Sequence, residues 1–252
     1  MKILLKPLQI LYVVYAFVWF VALMIPVFIW SLLVLPFGRI KGGNLIYTAC
    51  MIWADIWFAL VFIFHKNIYV EEPKKDQSYI FVANHISYLD SAIIPKTFRH
   101  SIRPLGKVEM AKVPIFGFIY KNTIVTVDRS NATNRANSVR ILKSILGKGI
   151  SVLVFPEGTF NTTHQPLKEF YDGAFRVAIE TQTPIKPVLL LNTYDRMHYK
   201  SIFSLNPGKS RSVFLSEVPV EGLTVKDVGR LKEKVFEMMR EELVRRGARW
   251  IG

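Results

Sequence analysis

Tyr79-Ile80-Phe81-Val82-Ala83-Asn84-His85-Ile86-Ser87-Tyr88-Leu89-Asp90 opens with five apolar, β-prone residues and then turns polar within two positions. The first five read as a buried strand, 79–83, which ends at Asn84 and delivers His85 into a loop. In α/β folds, sites collect at such strand ends. On one continuous helix, His85 and Asp90 would sit roughly 140° apart around the axis and could not meet. Ser87 supplies the break. As an N-cap it leaves His85 in the loop and starts a helix whose first turn carries Asp90, so the carboxylate can fold back to imidazole Nδ1. That pairing fixes the tautomer, leaves Nε2 free to take a hydroxyl proton, and stabilises the imidazolium as it forms.

Working outward, the same alternation repeats. Short apolar runs rich in β-branched residues at 124–127, 150–155, 185–191 and 213–215 read as further strands. Between them lie helical patterns. One follows Asp90, a second runs from Ala132 to Leu146 and stops at Gly147 and Gly149, and a third holds Ala174, Phe175, Ala178 and Ile179 before Pro184. From Thr224 to Arg246, Val228, Leu231, Val235, Met239 and Leu243 recur at spacings of three and four, an amphipathic helix. Strands alternating with helices predict an α/β layered domain with a largely parallel sheet.

The front of the chain differs. From Pro7 to Gly38 there is no charged residue, and about 20 apolar residues suffice for a helix to cross the hydrocarbon core. The run is too long for a signal peptide and lacks a small-x-small cleavage site. Pro26 is expected to break it near the middle. Lys2 and Lys6 on one side balance Arg39 and Lys41 on the other, so no positive-inside bias appears. Both a single crossing helix and a helix pair dipping into one leaflet, with both ends cytosolic, fit that balance. A second apolar run, 45–64, carries Asp55 near its centre, which would cost about 3 kcal/mol at mid-bilayer; it reads as interfacial or packed on the domain. The expected division is 1–66, membrane-associated helices, and 67–252, the α/β domain, at the cell membrane with the domain on its cytoplasmic face.

The formal charge is +14, from 33 Lys and Arg against 19 Asp and Glu. Eleven of the basic residues fall between Lys96 and Lys148, where the acidic ones are Glu109 and Asp128. Such a face wants an anionic partner. With an apolar N-terminus, the partners expected are anionic membrane lipids, a phosphate-bearing substrate or an acidic acyl carrier, in preference to nucleic acid. Cys50 is the single cysteine, which argues against a disulfide framework, a zinc site and a Cys nucleophile. His65, His100, His164 and His198 show no paired ligand spacing, so no metal is expected.

The second chemical motif is Phe155-Pro156-Glu157-Gly158-Thr159, again just after a buried-strand pattern. Pro156 ends the ladder and Gly158 lets backbone approach a ligand. Glu157 is read as accepting hydrogen bonds from substrate hydroxyls, with Gly158 and Thr159 offering N–H groups. Backbone N–H groups near the 84–87 loop, or at the helix start, are the candidates to stabilise an oxyanion.

Taken together, Asn84-His85 with Asp90, Lys107 and Glu109 followed by Pro114 and Gly117, Val127-Asp128-Arg129, Phe155 to Thr159, and Thr183-Pro184-Ile185-Lys186-Pro187-Val188 resemble the glycerophospholipid acyltransferase superfamily. The resemblance is strongest to the bacterial 1-acyl-glycerol-3-phosphate acyltransferases. It implies a fatty acyl thioester donor, on acyl-carrier protein or coenzyme A, and a His-Asp dyad without an acyl-enzyme. It also implies transfer to a lysophospholipid hydroxyl without a cofactor. Lys107 and Arg129 match phosphate-binding positions, Asn84 counts with the substrate-binding residues, and the Glu157-Gly158-Thr159 turn matches the segment that holds the acceptor. The family commonly has Arg after this motif, and here the residue is Phe160. Either Lys168 or Arg176 makes up the cation, or the acceptor is another lysolipid, such as a lyso-aminolipid. A non-catalytic lipid-binding protein is the reading of another class, and an intact His85 and Asp90 speak against it.

Overall fold

A computed structural model of the chain describes residues 2–127 and 132–252. The first helix, α1 (Lys2–Leu33), is continuous through Pro26, contrary to the expected break. A proline removes one intrahelical hydrogen bond. Here Trp57 Nε1 donates to Ala16 O at 2.8 Å and Trp30 Nε1 to Leu45 O at 3.3 Å, which pins α1 to its neighbour on both sides of Pro26. That neighbour is α2 (Gly43–Leu60), reached through a tight turn containing Arg39 and Lys41. The two helices form an antiparallel hairpin with a seam of Val13, Ala16, Met24 and Val27 against Trp53, Ala54 and Trp57.

Seven strands follow: β1 (Ile63–Tyr69), β2 (Ile80–Ala83), β3 (Arg103–Lys107), β4 (Val125–Val127), β5 (Val152–Val154), β6 (Ile185–Leu191) and β7 (Gly208–Phe214). They form one sheet in the order β1-β7-β6-β2-β5-β3-β4. From β6 to β4 the strands are parallel, while β7 runs antiparallel to β6 and β1 runs parallel to β7. The α/β architecture with a largely parallel sheet is therefore as expected. β1 and β3 were not anticipated, and the boundary placed after Lys66 falls inside β1.

The intervening helices are α3 (Leu89–Thr97), α4 (Phe116–Thr123), α5 (Ala132–Leu146), α6 (Gly173–Thr181), α7 (Thr193–Arg196) and α8 (Val228–Arg245). Strand alternation sorts the core into two layers. Ile80 and Val82 of β2 face α5, α6 and α8, while Phe81 and Ala83 face the layer made by α3, α4 and the α1–α2 hairpin. Asp55 explains why α2 belongs to the domain: its carboxylate meets Lys96 at 2.6 Å and Arg99 at 2.7 Å. Buried Arg103 donates to Ile40 O and Asn44 Oδ1, tying the hairpin turn to the start of β3.

Because β2 to β6 are parallel, their carboxyl ends share one edge of the sheet. His85 and Glu157 follow β2 and β5 at that edge, and Lys107 ends β3 there. The antiparallel register of β7 brings Gly208, and with it Ile63 at the start of β1, to the same side. There Tyr12 Oη of α1 donates to Val61 O at 2.5 Å, so the start of α1 stands beside the edge that carries the motifs.

Candidate active site

β2 ends as anticipated, and His85 sits in the loop that follows. Its Nδ1 lies 2.9 Å from Asp90 Oδ2. The same oxygen accepts the N–H groups of Ile86 at 2.7 Å and Ser87 at 2.8 Å, so the loop wraps around the carboxylate. Since a carboxylate only accepts, Nδ1 carries the proton and Nε2 is left as the basic nitrogen. The helix starts one residue later than expected. Tyr88 is the N-cap, and Ser87 Oγ instead accepts from Leu89 N at 3.0 Å while donating to Met197 O at 2.5 Å.

Burial is divided unevenly within the pair: the Asp90 side chain is 0% exposed and that of His85 18%. Asp90 Oδ1 is buried without a hydrogen-bond partner among the described residues. With its second oxygen unbonded, the buried carboxylate draws a neighbouring positive charge, which the imidazolium would supply during proton transfer. Phe155 stacks on the imidazole at 4.3 Å between ring centroids and Phe160 meets it edge-on at 4.4 Å. These two rings fix the plane of the base and keep its surroundings apolar.

Glu157 does something other than what its motif position suggested. It is 0% exposed, and its Oε1 accepts the backbone N–H of His85 at 2.8 Å while Oε2 accepts that of Lys168 at 2.8 Å. Both oxygens are thus taken by the protein, and Glu157 is a brace for the base instead of an acceptor for substrate hydroxyls. Burial pushes its carboxyl up to about 8, against the opposing pull of the two N–H donors. Asn84 is also a brace. At 2% exposure it bridges β2 to β6, donating to Leu190 O at 3.2 Å and accepting from Leu190 N at 2.8 Å.

In the Glu157 turn, Gly158 has φ of 72°, the left-handed region that a glycine enters without strain, and its N–H donates to Phe155 O. Asn161 N donates to His85 O at 2.8 Å, a contact that no sequence signal announced. Of the expected oxyanion donors, the N–H groups of His85, Ile86 and Ser87 are engaged within the protein. Those of Thr159 and Phe160 carry no hydrogen bond to a described residue. Thr159 is exposed and its Oγ1 accepts from Lys168 Nζ at 2.9 Å.

Lys107 is exposed at the end of β3, where its carbonyl accepts from Tyr120 Oη at 3.0 Å. It shares the site's edge of the sheet without touching the dyad. Arg129 lies outside the described residues. Arg176 is exposed on α6 and forms no hydrogen bond or ion pair with the Glu157 turn. Among the described residues, no group of three or more His, Cys, Asp and Glu is placed to hold a metal.

Residues 64–191, half of the chain, match the Acyltransferase family. Over 177 residues the chain is 30% identical to an uncharacterized acyltransferase of Schizosaccharomyces pombe, covering 68% of this chain and 62% of that one. Over 166 residues it is 31% identical to the 1-acyl-sn-glycerol-3-phosphate acyltransferase alpha of Homo sapiens, covering 65% of this chain and 58% of that one. The chain therefore spans less than two thirds of the length of either relative. In fold it is similar to the crystal structure of the 1-acyl-sn-glycerophosphate acyltransferase of Thermotoga maritima, with a TM-score of 0.76 over 99% of both chains at 22% identity. With the family match beginning in β1, ending with β6 and enclosing both His85 and Glu157, the chain belongs to the Acyltransferase family.

Proposed function

We propose that this chain is a membrane-bound O-acyltransferase that moves a fatty acyl group from a thioester, on acyl-carrier protein or coenzyme A, to the free hydroxyl of 1-acyl-glycerol-3-phosphate. The product is phosphatidic acid for phospholipid synthesis. The observation that carries this reading is the dyad: Asp90 holds Nδ1 of His85 at 2.9 Å, and Nε2 has no partner among the described residues. The names of the curated relatives supply the substrate class.

In the reaction, the acceptor hydroxyl approaches Nε2 and loses its proton as its oxygen attacks the thioester carbonyl. The imidazolium is held by Asp90. The carbonyl oxygen gathers negative charge, for which the N–H groups of Thr159 and Phe160 are the unengaged donors in the turn beside the base. Collapse expels the thiolate, which takes the proton from the imidazolium, and the dyad is regenerated. Direct transfer fits the surroundings: Ser87 Oγ is committed to Met197 O, and Cys50 lies on α2.

The outer face of α1 exposes Leu8, Leu11, Phe17, Val18, Ile25 and Ile29, an apolar strip left uncovered by the described residues. It would dock the enzyme on a bilayer, with the domain on the cytoplasmic face, and admit a lysolipid from the membrane to the neighbouring site. A second acceptor, a lyso-aminolipid, is favoured by one observation: Phe160 sets an apolar ring, not a cation, against the base. Detergent-solubilised protein given a labelled acyl thioester with lysophosphatidate and a lyso-aminolipid in parallel separates the two. Labelled phosphatidic acid supports the main reading, while labelled aminolipid alone would transfer the same chemistry to the second.

A further inference from the structure

Lys168 follows a loop that wraps His85, and the structure ties the two residues to one carboxylate. Glu157 accepts the backbone N–H of His85 on one oxygen and that of Lys168 on the other, each at 2.8 Å. Between these two anchors the chain lays Phe160 against the imidazole and bonds Asn161 N to His85 O. The general base and Lys168 are thus held to a common buried group, and their separation is set by backbone instead of by flexible side chains.

The ammonium itself is held as well. Nζ donates to Thr159 Oγ1 at 2.9 Å, on the residue next to Phe160. No carboxylate lies within ion-pair distance of it among the described residues, since the two Glu157 oxygens face backbone N–H groups and Lys168 takes part in no ion pair. An ammonium has three donors, and Thr159 uses one. A half-buried lysine whose ammonium bonds Thr159 on the exposed side, forms no ion pair among the described residues and is tied through Glu157 to the loop of His85 is a place for an anion. Of the other basic residues singled out in the sequence, Arg176 is exposed on α6 and Lys107 stands at the end of a different strand, while Arg129 lies outside the described residues.

We infer that Lys168 binds the phosphomonoester of the acceptor and so selects a phosphate-bearing lysolipid over a neutral one, an assignment that rests on the acyl-transfer reading above. Phe160 would then form the apolar wall along which the glycerol backbone passes, and Lys168 would supply the cation from the far end of the loop. A phosphate can also come from the donor, through its phosphopantetheine arm, and the test separates the two sources.

The measurement is binding, without donor, of 1-oleoyl-glycerol-3-phosphate and of 1-oleoylglycerol to the full chain in neutral detergent micelles. Wild type, Lys168→Met, Lys168→Gln and Lys168→Arg are compared, and coenzyme A binding is measured alongside. A hydrogen bond to a charged group contributes about 1.5–3 kcal/mol, so about a 10- to 150-fold preference for the phosphate lipid is expected in wild type. Both neutral variants should lose it, Lys168→Arg should recover most of it, and coenzyme A affinity should not change. A preference that survives in the folded neutral variants, no preference in wild type, or a loss confined to coenzyme A would each overturn the assignment. Adding an acyl thioester to the same micelles keeps the two claims apart. If the Lys168-dependent preference is present but no phosphatidic acid forms, the acyl-transfer reading fails and Lys168 keeps its role. If phosphatidic acid forms with an unchanged KM for lysophosphatidate in Lys168→Gln, the role of Lys168 fails and acyl transfer stands.

Discussion

Asp90 and Glu157 are two buried carboxyl groups with opposite duties. Asp90 gathers three donors onto Oδ2, one of them the base itself. Asp90→Asn would remove the charge that balances the imidazolium, and kcat is expected to fall by about 10⁴-fold, the scale known for neutralised triad carboxylates. Steady-state assays with KM for both substrates measured separately check this, since the loss belongs in kcat. Glu157 acts on backbone. Its carboxyl is raised by burial to about 8 from an ordinary 4.5. Between those values folded Glu157 holds a proton that the unfolded chain has shed, so its own contribution to stability falls as pH rises from about 4.5 to about 8, while buried His65, held down to about 4, acts in the opposite sense below 6.5. Denaturant unfolding across that window should show wild type losing stability relative to Glu157→Gln, which does not titrate, as pH rises. A single amide presents one acceptor and one donor group to two N–H groups, so the same variant should also lose one of the two backbone bonds and work more slowly.

At the level of elements, the sheet's carboxyl edge was legible because buried strands announce themselves. β2 and β6 are apolar with β-branched residues, and both strands and the helices α5, α6 and α8 lie close to where their patterns placed them. β1 was hidden because it is an edge strand whose His65, Lys66 and Asn67 interrupt the pattern. β3 contains Arg103, Pro104, Gly106 and Lys107, and only its neighbours make it a strand. The pairing of His85 with Asp90 could be read because its geometry is local. The bracing by Glu157 and Asn84 could not, because their partners are backbone groups 72 and 106 positions away, and nothing in residue type distinguishes a brace from a ligand. Close packing offers a further test here. A Cβ at Gly117 of α4 would lie 2.4 Å from Ala111 O, a backbone atom that cannot swing aside. Gly117→Ala should therefore lower the thermal midpoint, with a cost of about 1–3 kcal/mol as for other overpacked sites.

For the whole molecule, the hairpin sets which side would face the membrane under the proposed function. The inner face of α2 is committed to the sheet layer and its Asp55 to Lys96 and Arg99, which leaves the outer face of α1 as the apolar surface. Arg39 and Lys41 are exposed at the hairpin turn, on a chain of net charge +14. Reversing both, Arg39→Glu with Lys41→Glu, should weaken binding to anionic vesicles by about 1 kcal/mol or more per position, and added salt should narrow the difference. Sedimentation with vesicles of mixed neutral and anionic lipid at two salt concentrations reads both effects. Under the proposed function, bilayer and chemistry would meet at the carboxyl edge of the sheet, where the start of α1 and His85 stand on one side. The claim on which all of this depends is that His85 is the general base. Its most direct test is single-turnover acyl transfer from a labelled thioester to lysophosphatidate by wild type and by His85→Ala, with both shown to unfold at the same temperature. The account predicts labelled phosphatidic acid from wild type and a rate at least about 10³-fold lower in the variant. A folded His85→Ala that transfers the acyl group at the wild-type rate would contradict it.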